Sequence, residues 1–217
     1  MKTVLLPVKE FSNAKQRLAG ILSPDQRAGL ARAMFVDVLG AVTTSLSVER
    51  AIVITASDEV ARIASGHGLE VVIEVQATGH SAAVNQMAGQ LVGTASAFLA
   101  IASDLPTLRG EDIDQVLDSD CDGIALLASR DGTGTNGVLM RPGATIQMDY
   151  GTDSLRRHIL LAEASGSAAV VMEIPEFGFD VDTPDDLAHL IEVAPRRGET
   201  WESAMSLGVL DALRASR

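Results

Sequence analysis

Three groups of charged residues in this chain could act together on phosphate. Lys9, Lys15 and Arg17 lie within the segment Pro7-Val8-Lys9-Glu10-Phe11-Ser12-Asn13-Ala14-Lys15-Gln16-Arg17-Leu18, which leaves the first apolar run, Thr3–Val8. Cations on one loop can hold a triphosphate, two as ammonium point charges and one as a guanidinium fork. Asp104 stands in Ser103-Asp104-Leu105-Pro106, directly after the apolar run Ala97–Ala102. A carboxylate there suits Mg²⁺ held against phosphate oxygens. Asp180 and Asp182 flank Val181. If Phe179–Val181 is a strand, its alternation puts both carboxylates on one face, and either could complete a metal site with Asp104. A basic loop after one strand and aspartates after two later ones are the plan of a metal-dependent nucleotidyltransferase. Plainer roles coexist. Asp182 or Thr183 can cap a helix opening at Pro184, and Asp185 and Asp186 are ordinary acids of a first helical turn.

The elements that must position these residues alternate. Strands are predicted at Thr3–Val8, Ala51–Thr55, Leu69–Glu74, Ala97–Ala102, Gly123–Ala128, Val138–Arg141 and Ala169–Ile174, with a short one at Phe179–Val181. Between them lie helical patterns. Ser23, Pro24 and Gln26 form a capping box ahead of Leu30, Met34, Val38, Ala41 and Val42 at helical spacing. Further helices are predicted near Ser57–Ser65, Ser81–Val92, Glu111–Leu117, Thr152–Ala164 and Thr183–Ile191. Uninterrupted apolar strands separated by helices imply an α/β fold: a mostly parallel central sheet with helices on both faces. Ligands of such sheets bind beyond the carboxyl ends of the strands, where all three charged groups fall. Gly132–Gly137 reads as a polar turn. Residues 1–195 form the domain, and residues 196–217 a C-terminal helical extension that could dock on the core or on a second subunit of a homodimer.

Composition narrows the partners. The chain has 217 residues, 17 Lys and Arg against 29 Asp and Glu, and a net charge of −12. That acidic balance argues against nucleic acid and anionic membrane, which repel a field of like sign. The charge is uneven. Residues 1–33 carry six basic residues against Glu10 and Asp25, a net of +4, which implies a local anion site at that end. The lone Cys121 excludes an intrachain disulfide and fits a reducing cytoplasm. The first apolar run is too short for a signal segment, and no run approaches a membrane span of about 18 residues. Neither a GxGxxG nor a GK[ST] motif is present at the first turn, so a dinucleotide site or a P-loop is unsupported.

Five segments, PVK-EFSNAKQRLA, SDLP, DGTGTNGVL, YGTDSLRRH and FDVDTPDDL, occur in this order. Together they resemble the CofC/FbiD guanylyltransferases of coenzyme F-420 biosynthesis, over roughly residues 3–190. The resemblance implies a single-domain, Rossmann-like nucleotidyltransferase fold. It implies transfer of GMP from GTP to phosphoenolpyruvate, 2-phospho-L-lactate or 3-phospho-D-glycerate, with release of pyrophosphate. Mg²⁺ would be the cofactor, and a downstream transferase would consume the unstable product. The family's acceptor-binding positions match Thr135, Gly151 and Ser154. Backbone N–H groups and hydroxyls at the start of the Thr152–Ala164 helix suit an anion there. By the same reading Lys9, Lys15 and Arg17 bind GTP, with Lys15, Arg17 and Asp104 catalytic, and Asp104, Asp180 and Asp182 hold the metal. Many members carry a Leu-Asn pair where this chain has His80-Ser81. Relatives that use a molybdopterin or a sugar phosphate open on a glycine-rich segment that is absent here. The remaining alternative is an inactive binding module.

Overall fold

In the computed structural model, alternation along each central strand divides the interior into two layers. The structure describes residues 1–74, 80–91, 95–193, 198–209 and 211–212. From β1 (Lys2–Pro7), Val4 and Leu6 point to one face and Leu5 to the other. β4 (Ala97–Ile101) and β5 (Ile124–Ala128) divide their side chains in the same way. One layer is closed by α1 (Pro24–Thr44) and α4 (Gly110–Leu117), the other by α3 (His80–Leu91) and α5 (Ser154–Ser165). Each fully buried leucine contributes about 1.5–3 kcal/mol to this arrangement.

The sheet has seven strands in the order β3-β2-β1-β4-β6-β5-β7, where β2 is Arg50–Thr55, β3 Glu70–Ile73, β6 Thr135–Met140 and β7 Ala169–Met172. Pairing is parallel except for β6, which runs antiparallel to both β4 and β5. The cause is the short link between β5 and β6. Residues 129–134 can join antiparallel neighbours but are too few for a parallel crossover. The reversal has a consequence for the site. It brings the start of β6 to the edge where β1, β2 and β4 end, and Ala102 N–H donates to Asn136 O at 2.8 Å.

Several predicted boundaries move. β6 begins at Thr135 rather than Val138, because the turn is closed by Ser129 and Asp131 over the Thr133 and Gly134 amides. α5 begins at Ser154, because Gly151 (φ 126°) and Asp153 (φ 54°) are left-handed and cannot extend it. Phe179–Val181 is not a strand. A single turn, α6 (Pro175–Gly178), precedes it, and the chain then runs irregularly to α7 (Pro184–Val193). The expected capping box of α1 is present, with Ser23 Oγ accepting from Gln26 N–H and Gln26 Oε1 accepting from Ser23 N–H. α2 (Asp58–Gly66) is capped by Ser57.

The described residues after 197 pack on the same chain. The buried residues Ala204 and Val209 join the α1 layer of the core. Asp37, in the interior of α1, accepts from the Glu199 and Thr200 amides, each at 2.9 Å, and so caps α8 (Glu199–Ser206) from a different helix. Among the described residues no helix is long and apolar enough to cross a membrane.

Candidate active site

After β1 the chain makes two short helical turns, Phe11–Asn13 and Gln16–Leu18, anchored by the buried side chains of Phe11 and Leu18. Lys15 lies between them in the left-handed region, at φ 52°. That backbone is costly for an L-residue, by about 1–2 kcal/mol. It accompanies an inward side chain. Lys15 Nζ lies 2.5 Å from Asp104 Oδ2 and 2.8 Å from Asp182 Oδ1, with only 6% of the side chain exposed. Burial pushes the Lys15 ammonium toward neutrality, but Asp104 and Asp182 outweigh it and its pKa is raised. Asp182 is the converse case. Burial favours its acid form, yet Lys15 and then Arg17 hold its pKa below the ordinary value.

Asp104 and Asp182 of this cluster stand on the wall between two clefts, and Lys15 faces the first. The first, of about 610 Å³, lies over the ends of β1 and β2 and is lined by Lys9, Phe11, Ala31, Ile54, Ser57 and Ala83 among others. The second, of about 770 Å³, is more polar and includes Arg17, Ser129, Arg130, Thr135, Gly151, Ser154 and Asp180. Both volumes suit small-molecule ligands. Pro7, Ser103, Asp104 and Asp182 line both clefts.

In the second cleft, Thr135 and Asn136 are buried at the start of β6. Asn136 Nδ2 donates to Phe177 O and to Asp180 Oδ1, each at 2.9 Å. Burial, reinforced by Asp104 and Asp182, pushes Asp180 up to about 6. Ser154 is buried at the start of α5, and Gly151 takes a φ that glycine alone adopts freely. His158, on α5, contacts both Thr135 Oγ1 and the Asp149 amide. Ser81 Oγ accepts from Tyr150 N–H at 3.0 Å and so steadies the loop that leads to Gly151. The His80 side chain lies outside the described residues.

The structure brings Lys15, Arg17, Asp104 and Asp182 together and places Thr135, Gly151, Ser154 and Asp180 beside them. It changes three expectations. First, the positive N-terminal segment is not one anion site. Lys2 pairs with Asp118, Arg27 is buried on Leu22 O, and Arg32 pairs with Glu59. Lys9 and the largely exposed Arg17 remain directed to the clefts. Second, the first amides of α5 are already engaged. Ser154 N–H donates to Gly151 O and Leu155 N–H to Thr133 O, so these two are not free for an anion. Third, among the described residues no three carboxylate, imidazole or thiolate groups gather to hold a metal ion. Lys15 stands between Asp104 and Asp182, and Asp180 is turned to Asn136. Asn136 and His158 are the residues the motifs underrated. Their signal is a polar side chain on the buried face of its element, visible only once the boundaries of β6 and α5 are known.

The fold is that of nucleotidyltransferases. A protein from Desulfovibrio desulfuricans G20, described as a nucleotide-diphospho-sugar transferase, superposes with a TM-score of 0.78 at 16% identity, over 99% of this chain and 97% of that one. A nucleotidyl transferase from Methanothermobacter thermautotrophicus superposes with a TM-score of 0.59 at 17% identity, over 88% and 96%. Sequence narrows the class. Residues 1–199 match the family model for guanylyl transferases, CofC like, and the chain belongs to that family. The chain is 38% identical to a phosphoenolpyruvate guanylyltransferase of Conexibacter woesei, over 96% of this chain and 95% of the relative. It is 32% identical to a 2-phospho-L-lactate guanylyltransferase of Methanothermobacter thermautotrophicus, over 88% and 85%. It is 33% identical to a 3-phospho-D-glycerate guanylyltransferase of Phenylobacterium zucineum, over 89% and 90%.

Proposed function

We propose that this chain transfers GMP from GTP to the phosphate of a three-carbon phospho-acid and releases pyrophosphate. The observation that carries the reading is the Lys15–Asp104–Asp182 cluster on the wall shared by two ligand-sized clefts. Two substrates held on either side of that wall would meet over it. The first cleft, with apolar walls from Phe11, Ile54 and Ala83, suits a nucleoside. The second, lined by hydroxyls, by the largely exposed Arg17 and by Arg130, which is paired with Asp186, suits a small anion.

An oxygen of the acceptor phosphate attacks the α-phosphorus of GTP. The bond from that phosphorus to the bridging oxygen breaks, and pyrophosphate leaves with its electron pair. The attacking phosphate is already ionised near neutral pH, so no strong base is required. Catalysis is positioning and charge neutralisation. Lys15 offers an ammonium donor to phosphate oxygens, while Lys9 and Arg17 offset charge at the leaving end. Thr135, Gly151 and Ser154 orient the acceptor.

Asp104 and Asp182 are the residues that would hold Mg²⁺. Their oxygens already flank a cation, and Mg²⁺ is typically bound through one or two carboxylates plus substrate phosphates. When bound, the ion supplies further neutralisation of phosphate charge. Asp180 is the third candidate, held in reserve by Asn136. The reading places the enzyme in the cytoplasm, in the F-420 pathway implied by the family. A downstream transferase takes the diphosphate-linked product.

The test is pyrophosphate release with GTP, ATP and CTP, each against phosphoenolpyruvate, 2-phospho-L-lactate and 3-phospho-D-glycerate, with and without Mg²⁺. Turnover is expected with GTP and at least one acid, and only with the metal. No release with any pair would overturn the reading.

A further inference from the structure

His158 has no exposed surface, yet both its ring nitrogens are engaged. The Asp149 amide lies 2.9 Å from Nε2. An amide N–H can only donate, so Nε2 is the accepting nitrogen. A neutral imidazole then carries its proton on Nδ1, which lies 3.0 Å from Thr135 Oγ1. Thr135 therefore accepts that bond, and its own hydroxyl proton has no acceptor among the described residues. An imidazolium would set a second donor against the Asp149 amide. Burial acts against it and lowers His158 to about 4, with the Asp149 carboxylate opposing and Arg157 assisting. The Tyr150 ring, nearly perpendicular to the imidazole with its centroid 5.3 Å away, completes the enclosure.

We propose that His158 is a positioning residue: its Nδ1–H fixes the Thr135 hydroxyl as a hydrogen-bond donor into the second cleft, while its Nε2 ties the loop 149–153 to the same point. The ligand this selects is an anionic oxygen, carboxylate or phosphate, because such a group offers only acceptors. The role rests on the reading of the second cleft as the phospho-acid site. β6 supplies the donor, the loop supplies Gly151, and α5 supplies Ser154. One imidazole holds these three elements in register.

Two substitutions separate the two bonds. His158→Asn places an amide where Nδ1 lies and keeps a donor for Thr135. His158→Gln reaches the place of Nε2 and keeps an acceptor for Asp149. His158→Gln is expected to raise the KM for the phospho-acid about tenfold, the effect of one lost hydrogen bond to a charged group, and to leave the KM for GTP within about twofold. His158→Asn should restore most of the loss. Thr135→Val should match His158→Gln, and the double variant should add little to either. Equal losses in both His158 variants, or a KM for GTP that rises in parallel, would mean a structural role only and would overturn the proposal. Long-range ¹⁵N NMR of the unliganded protein supplies a readout that needs no turnover. The neutral Nδ1–H form is expected from pH 5 to pH 8. The Nε2–H form, or an imidazolium in that range, overturns the proposal even in an active enzyme. The expected tautomer in a protein that turns over no phospho-acid upholds the hydrogen-bond assignment and overturns the proposed function instead.

Discussion

Replacing Lys15 by methionine keeps the side chain out to Cε and removes the charged ammonium. The strain at φ 52° is common to both residues and cancels in the comparison. What is lost is the cation between two carboxylates. Breaking a fully buried ion pair costs about 3–5 kcal/mol. Here the lysine is 6% exposed, but Asp104 is 28% and Asp182 40% exposed, so water screens the orphaned acids. A discounted cost of about 2 kcal/mol follows, or a fall in Tm of about 4–8 °C for a chain of this size. The pH dependence has a definite sign. Asp182 is depressed in the folded state, so its contribution is present above its unfolded value and lost as pH falls through the folded one. Lys15 is raised, so its contribution is complete below its unfolded value and lost as pH rises through the folded one. The difference between the two proteins should therefore be flat from about pH 5 to pH 9 and shrink at both extremes. Mg²⁺ should raise the Tm of Lys15→Met more than that of the parent, because the two carboxylates lack their internal cation. Differential scanning calorimetry across pH, with and without Mg²⁺, measures all of this. A parental Tm at pH 7.5 would show that the ammonium compensates nothing. A Tm indifferent to Mg²⁺ in both proteins would remove the carboxylate pair as a cation site.

Asp104→Asn should lower turnover by about 10²–10³-fold while Tm moves only a few degrees, and near-parental steady-state rates would take Asp104 out of the site. Asp180 is raised to about 6 by burial, so the native state takes up a proton between about pH 4 and pH 6 and loses stability as pH rises through that window. Asp180→Asn keeps an acceptor for Asn136 without the charge. It should therefore exceed the parent by about 1–2 kcal/mol at pH 7.5 and match it near pH 4. Urea unfolding at both pH values measures this, and equal stability at pH 7.5 would contradict it. Asp37→Ala should cost about 1–2 kcal/mol and speed amide exchange in Glu199–Ser206, since Asp37 caps that helix. Unaltered protection there would mean that α8 is held by its apolar face alone.

Much of the architecture was legible in the chain alone. Ala97–Ala102 is apolar throughout, as a short strand covered on both faces is, and the Ser23-Pro24-Gln26 signature set the start of α1. These are local matters, decided by periodicity and by unsatisfied amides at a helix end. The family motifs likewise singled out Lys15, Asp104, Asp182, Thr135 and Ser154 without reference to space. Tertiary structure decided the rest. It reversed β6, so that Thr135 and Asn136 arrive at the edge where Asp104 lies. It turned Lys15 inward, so that a residue read as a phosphate contact also neutralises two aspartates 89 and 167 positions away. It drew half of the N-terminal cations away from the clefts, Lys2 and Arg32 into ion pairs and Arg27 onto a carbonyl. A charge in the sequence has a sign but no neighbours. Its role depends on the carboxylates, carbonyls and water within a few ångströms, and only folding brings those together.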